Sequence, residues 1–170
     1  FMVLDRLAAR HGALPRKESR FKGELADARI GGDRVLLLWP LTFMNLSGEA
    51  VHALQTFHKI PASDVLVLSD DIELPVGGLR FRPKGSAGGQ KGLQSIIRSL
   101  GTQDFPRLRI GVGAKPEGWD LADWVLSRFR SEEEKALAPA LDAAADGVER
   151  WVSGASPDDL MGLLNPLSRS

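Results

Sequence analysis

Apolar residues at Met2, Val3, Leu4 and Leu7 recur with helical spacing, while Asp5, Arg6 and Arg10 fill the other face, so the chain opens inside an amphipathic helix that Gly12 stops. No capping residue precedes this helix and Phe1 rather than Met stands first, so the natural sequence is expected to continue upstream. Further along, "RFKGELADARI" and "RVLLLWP" flank the turn "GGD" and predict a β-hairpin. "GEAVHALQTFHK" has the helical period, with Asn45 or Ser47 as its cap. "DVLVLSDD" is a continuous apolar run ending in carboxylates, the pattern of a strand buried on both faces. "GGLRFRP" alternates until Pro83 breaks it, "KGLQSIIRSLG" is a helix closed by Gly101, and "RLRIGVG" is a further strand.

The remainder is helical. "DLADWVLSRF" predicts one helix, and "SEEEKALAPALDAAADGVERWVSG" a second, with Ser131 and Glu134 at capping-box spacing. Pro139 should kink that helix or mark its true start. Its Leu137, Leu141, Val148 and Trp151 recur at the spacing of a core-facing stripe. "SPDDLMGLLN" predicts a last short helix, with Ser156 as N-cap and Pro157 at the first position, and "LLNPLSRS" reads as a frayed tail. Alternating strands and helices give a single α/β domain over residues 1–170, with a mixed, mostly parallel twisted sheet flanked by helices.

Composition narrows the setting. A chain of 170 residues, 43% hydrophobic, is long enough for one core. It has no cysteine, so disulfides and thiolate zinc sites are excluded and a reducing cytoplasm is the expected home. No apolar run approaches the roughly 20 residues that span a bilayer, and charge comes too early in "FMVLDRLAARHG" for a signal peptide.

Net charge is zero, yet its distribution is uneven. From Arg80 to Lys115 the cations Arg80, Arg82, Lys84, Lys91, Arg98, Arg107, Arg109 and Lys115 face only Asp104, and from Glu117 to Glu149 acids dominate. Such segregation fits either a local anion-binding face or solvated charges that cluster only in sequence. Within the basic stretch, "KGSAGGQKGLQSII" looks like a phosphate loop but offers Gln90-Lys91-Gly92 where Gly-Lys-Ser/Thr is required. "GVGAKPEG" likewise sets Pro116 where a dinucleotide fingerprint needs its third glycine. What remains open to the first loop is to present backbone N–H groups, Lys91 and a helix N-terminus at the rim of a cleft.

The other chemical candidate is "SDDIELP". Asp70 closes the most apolar strand, the end at which open α/β sheets bind ligands. Asp70, Asp71 or Glu73 could orient a histidine, hold Mg²⁺ through water, or cap the next turn. His11, His52 and His58 lie on separate helical segments without metal-ligand spacing and read as surface or partly buried helix residues.

In this order and spacing, "PLTFMNLSGEAV", "VLVLSDDIELPVGGLRFRPKGSAGGQKGLQSII" and "FPRLRIGVG" strongly resemble the bacterial peptidyl-tRNA hydrolase family, from Phe1 to about Asn165. The resemblance implies a peptidyl-tRNA hydrolase-like α/β esterase that cleaves the ester between a peptide, or an N-blocked amino acid, and tRNA, recycling tRNA during translation. It implies no metal or other cofactor, no obligate protein partner, and a monomer. The family's aspartate that orients a histidine base falls on Asp70, and the asparagine whose amide positions the ester or its water falls on Asn45. Met44 lines the same cleft, and the two cations that clamp the tRNA 5′ phosphate fall on Arg82 and Arg109.

Departures accompany the match. The family's first strand and its histidine-bearing segment would lie before Phe1, so the chain as given is expected to lack that strand and, without the base, to be nearly inactive and poorly stable. Gln90-Lys91 stands where the family commonly has His-Asn, and Ser69 replaces the histidine before Asp70. Gln90 keeps an amide at the substrate, and Lys91 adds charge near the acceptor stem and 3′ end. Two other readings stay open: a non-catalytic RNA-binding relative of the same fold, and a Mg²⁺-dependent phosphate-ester hydrolase using Asp70, Asp71 and Glu73.

Overall fold

The computed structural model describes residues 1–126 and 129–169. In chain order the elements are α1 (Met2–Arg10), β1 (Arg16–Glu18), β2 (Gly23–Ile30), β3 (Asp33–Pro40), α2 (Ser47–His58), β4 (Val67–Asp71), β5 (Leu79–Arg82), α3 (Lys91–Leu100), β6 (Arg107–Gly111), α4 (Leu121–Leu126), α5 (Ser131–Val152) and α6 (Pro157–Leu164). The helix expected over "DLADWVLSRF" is seen as α4, and its Ser127 and Arg128 lie outside the described residues. None of the described helices is long and apolar enough to cross a membrane.

The α/β class holds, but the mostly parallel sheet does not. The strands form two three-stranded sheets, ordered β1-β2-β3 and β4-β6-β5, and only the β4–β6 pairing is parallel. Local chemistry explains why. Gly31 and Gly32 both take positive φ, which closes β2 and β3 into a two-residue hairpin whose twist matches the strands. Parallel pairing needs a long crossover, and the chain supplies one between β4 and β6, through α3. The strand read as buried on both faces is β4, and it lies at an edge of its sheet with alternating partial burial.

One apolar core unites the two sheets. Ala26, Ala28, Ile30, Leu37 and Trp39 from the first meet Leu79, Phe81 and Leu108 from the second, together with Val3 and Leu7 of α1, Leu137, Ala144 and Val148 of α5, and Leu160 and Leu164 of α6. The α5 stripe therefore packs as its spacing predicts. Outside it, Arg6 pairs with Asp142 at 2.8 Å and Arg10 with Asp146 at 2.7 Å, fastening α1 along α5.

Several local readings shift. Neither Asn45 nor Ser47 caps α2; the Ser47 hydroxyl donates instead to the Met44 carbonyl, 2.8 Å away. The box at the start of α5 lies one residue earlier than Ser131 and Glu134, with the Arg130 amide donating to Glu133 Oε2 at 2.8 Å. Pro139 neither starts nor ends α5, which runs through it. Ser156 and Pro157 open α6 as expected. The tail is structured: residues Asn165–Arg169 form a 3₁₀ turn, and Asn165 Oδ1 accepts the Phe81 amide at 2.7 Å. A side-chain amide thus occupies an edge-strand position that would otherwise leave a backbone donor unpaired.

A second, smaller cluster, Ala87, Leu93, Ile96 and Phe105, is covered by α2 and α3. Those helices touch at Gly48, whose amide donates to Ser95 Oγ at 2.9 Å and where an added Cβ would overlap the Ser95 carbonyl. Gly48→Ala is expected to push α2 off α3 and cost about 1–3 kcal/mol, the usual range for overpacking. Urea unfolding would register this as a lower midpoint at unchanged slope, and an unchanged midpoint would show that the helices yield freely.

Candidate functional site

Strand geometry divides the carboxylates of "SDDIELP". Successive side chains on β4 point to opposite faces, so Asp70 shares a face with its partner Ile110, and Asp71 with Gly111 and Arg109. Asp71 is the turn-capping residue: Oδ1 accepts the Glu73 amide at 2.8 Å, and Oδ2 lies 3.5 Å from Arg109 Nη1 with both side chains largely covered. Asp70, Asp71 and Glu73 therefore do not converge, and the Mg²⁺-dependent reading loses its ligand set.

Asp70 points to different company. Gln90 Nε2 donates to Asp70 Oδ1 at 3.0 Å, while Gln90 Oε1 accepts the Leu93 amide at 2.6 Å and so caps α3. The same Nε2 lies 3.7 Å from Met44 Sδ. One side-chain amide thus ties the strand-end carboxylate, the helix N-terminus and the turn Met44–Leu46 into a single corner. A Cβ at Gly92 would stand 2.8 Å from Met44 Sδ and 3.0 Å from Gln90 Oε1, so a larger residue there would displace the Met44 and Gln90 side chains. Asn45 is exposed on that turn, and among the described residues its amide makes no hydrogen bond. Phe43 and Met44, 81% and 46% exposed, form an apolar lip beside it.

Lys91, the first residue of α3, is exposed. A cation at a helix N-terminus opposes the macrodipole by about 0.3–1 kcal/mol, so its place there creates a positive spot at a cost to the helix. The described histidines lie elsewhere: His11 beside Glu149 at 2.9 Å, His52 near Thr56, and His58 against Phe21 and Phe57.

The basic stretch converges in space, and is not only a run in sequence. The antiparallel register pairs Arg80 with Arg109 and Arg82 with Arg107, so all four arginines share one face of β5 and β6. Arg82 is exposed, and among the described residues its side chain donates only to its neighbour's carbonyl, Phe81 O, at 3.0 Å. Arg109 is 15% exposed, held between Asp71 and the Ser86 carbonyl at 3.2 Å. Gly88 adopts φ +57° directly over it, and a Cβ there would stand 2.8 Å from the guanidinium and displace it. Burial and the neighbouring Arg109 hold the Arg107 guanidinium below its usual pKa. In sequence Arg107 is one charge among several; the alternation Arg-Leu-Arg places it on the face of Arg109 but does not show that it is buried.

The glycine loop, expected at the rim of a cleft, is fastened in its first half: Gly85 and Ser86 give their carbonyls to Arg107. Between this loop and α3 lies a cavity of about 570 Å³ lined by Ser86, Gly88, Gln94, Arg98 and Gln103.

A family model for peptidyl-tRNA hydrolase matches residues 1–169. Peptidyl-tRNA hydrolase of Chloroflexus aggregans is 51% identical over 154 residues, 90% of this chain and 81% of the relative. That of an Exiguobacterium species is 43% identical over 165 residues, 97% of this chain and 86% of the relative. The crystal structure of peptidyl-tRNA hydrolase from Acinetobacter baumannii superposes with a TM-score of 0.90 at 28% identity, covering 99% of this chain and 85% of that one.

The double role of Gln90 is open to measurement by denaturation. Gln90→Ala removes the cap and is expected to cost about 1 kcal/mol. Gln90→Glu restores an acceptor for the Leu93 amide but sets two carboxylates together, so the pair keeps a proton above the usual carboxylate range. A folded-state pKa raised in this way stabilises below the unfolded value near 4.3 and loses that contribution as pH rises through the raised value. Stability of Gln90→Glu should therefore fall between about pH 4 and pH 7 relative to Gln90→Ala; parallel pH profiles would mean that the side chain does not face Asp70.

Proposed function

The chain belongs to the peptidyl-tRNA hydrolase family, hydrolases acting on the ester bond of peptidyl-tRNA, and on that premise we propose that the ester is cleaved at the Asp70 end of β4 and the tRNA phosphate is held on the Arg82–Arg109 face. The observation that carries this reading is the Gln90 amide, which gathers Asp70, Met44 and the α3 N-terminus into one corner.

Ester hydrolysis needs a water deprotonated as it attacks the carbonyl carbon, an oxyanion stabilised, and a ribose hydroxyl released with a proton returned to it. Asp70 supplies fixed negative charge beside the attacking water, acting on it directly or through an intervening base whose positive charge it stabilises. Gln90 fixes the rotamer of that carboxylate without adding charge. The Asn45 amide, uncommitted within the protein, donates to a substrate carbonyl. Met44 and Phe43 offer the peptide portion an apolar wall. Lys91 and the α3 N–H groups draw the phosphates of the single-stranded 3′ end towards the corner. Arg82 and Arg109 hold the terminal phosphate of the acceptor stem, where an arginine fork fixes register without reading sequence. The enzyme acts in this reading as a cytoplasmic monomer without metal or other cofactor.

Release of an N-blocked amino acid from its tRNA, with binding measured in parallel, tests the assignment. Asp70→Asn should lower kcat by about 10²–10⁴-fold and leave tRNA affinity within about twofold. Arg82→Gln should instead raise KM and reduce the slope of log K against log salt by about 0.7–0.9, one phosphate contact. Salt-sensitive binding without any cleavage by the unaltered protein would favour an RNA-binding role, and cleavage abolished by a chelator would restore a metal-dependent one.

A further inference from the structure

Arg107 is the most thoroughly buried charged residue of the described chain, at 1% exposure. No carboxylate forms an ion pair with it among the described residues; the charge that acts on it is another cation, Arg109. A lone buried guanidinium is costly, since its hydration is lost and no opposite charge replaces it. The compensation here consists of neutral carbonyl dipoles. Nε donates to Phe105 O at 3.1 Å, Nη2 to Gln103 O at 2.9 Å, and Nη1 to both Gly85 O at 2.6 Å and Ser86 O at 3.1 Å. The flat ion also lies 4.4 Å from the centroid of the Phe105 ring.

Those four acceptors belong to two separate segments. Gln103 and Phe105 lie in the connection that follows α3, and Gly85 and Ser86 in the glycine loop that precedes it. Arg107 therefore clips the two ends of the α3 unit together, helped by the Gly85 amide, which donates to Gln103 O at 3.3 Å. The fastened loop continues through Ala87, 7% exposed within the small core, whose carbonyl accepts the Gln90 amide at 3.2 Å. The Gln90 side chain then meets Asp70. Ser86 O is also shared with Arg109 Nη2 at 3.2 Å, so the same carbonyl orients a guanidinium that faces the substrate phosphate.

We infer that Arg107 is a positioning residue of the hydrolase: its four-carbonyl fork sets the glycine loop so that Gln90 holds Asp70 in the reactive rotamer. The inference rests on the assignment of Asp70 and Gln90 given above. A lysine cannot substitute, because one ammonium nitrogen cannot reach carbonyls arranged around a planar fork nor lie flat on Phe105. Arg109 has a second anchor in Asp71, so loosening the loop should act on turnover more than on tRNA affinity.

The test is a double-mutant cycle on the full chain, using an N-blocked aminoacyl-tRNA as substrate and amide hydrogen exchange of the free protein. Arg107→Lys is expected to lower kcat at least tenfold, change KM less than threefold, and raise exchange of the Ala87 and Gln90 amides while α5 stays protected. In a Gln90→Ala background the same substitution should cost less than threefold, since the residue through which it acts is gone. An undiminished loss in that background, an unchanged kcat, or exchange rising equally throughout the molecule would each overturn the inference. If Arg107→Lys does not fold, Phe105→Leu removes the ring beneath the guanidinium and is carried through the same cycle. Failure of the underlying site assignment looks different: Asp70→Asn would then turn over normally, while the exchange of the loop in Arg107→Lys would still rise.

Discussion

The register of β5 against β6 places Arg80, Arg82, Arg107 and Arg109 on one face of a three-stranded sheet, and most of what surrounds the site follows from how that charge is accommodated. Like charges directly opposite one another destabilise a ladder, so each guanidinium needs its own solution. Arg82 keeps its hydration by remaining exposed. Arg109 takes the buried carboxylate of Asp71. Arg107, deepest of the four, takes backbone carbonyls, and these must come from chain bent closely around it. That requirement gives the glycine loop its shape: Gly88 takes φ +57° against the Arg109 guanidinium, a left-handed conformation that costs glycine less than other residues. A loop rich in glycine would otherwise lose much entropy on ordering, and the arginine contacts offset that loss where the chain turns into α3.

The corner at Asp70 is built downstream of this. Once the loop is fixed, Gln90 falls at the N-cap of α3, a position where serine, threonine or aspartate is the commoner choice. Its longer side chain caps with the oxygen and reaches Asp70 with the nitrogen. A shorter capping residue would satisfy the helix and leave the carboxylate alone. Lys91 then opposes the dipole of its own helix. Two local preferences are thus set aside in consecutive residues at the corner to which we assign the chemistry, as departures of this kind concentrate at functional sites.

Legibility from sequence followed the range of the interactions concerned. The Gly31–Gly32 hairpin, the Gly101 stop and the Ser156–Pro157 start depend on neighbours within a few residues, and the sequence pattern alone located them. Sheet composition did not follow, because the pairing of β5 with β6 joins segments about thirty residues apart and nothing local sets its direction. The box at Arg130 and Glu133 slipped by one residue since Glu132, Glu133 and Glu134 are locally equivalent acceptors. Asn165 looked like tail because its partner, the Phe81 backbone, lies 84 residues away. Among the candidate residues, Asp70, Met44 and Gln90 do come together, Asn45 and Lys91 flank them, and Arg82 and Arg109 share the neighbouring face. Arg107 was invisible as a buried group, since burial of a charge is a tertiary fact and an arginine in an alternating strand reads equally well as solvated.

The adjacent aspartates show how a sheet separates two tasks that sequence cannot. Asp70 and Asp71 are the same residue type, one position apart, at the end of the same strand. Their difference arises from the pleat, which turns one towards the Gln90 corner and the other into the arginine face. Asp71 is thereby consumed: one oxygen closes the turn to Glu73, and the other, buried, lies 3.5 Å from the Arg109 guanidinium. Had a single aspartate stood there, it would have had to serve either the turn or the chemistry. With two, the buried one fixes the backbone on which the other is mounted, and the strand end is held without drawing on the carboxylate that faces Gln90. The same division holds across β6, where Arg107 is spent on architecture and Arg109 remains at the edge of the loop. In both strands the residue that looks redundant in sequence holds in place the neighbour to which we assign the chemistry.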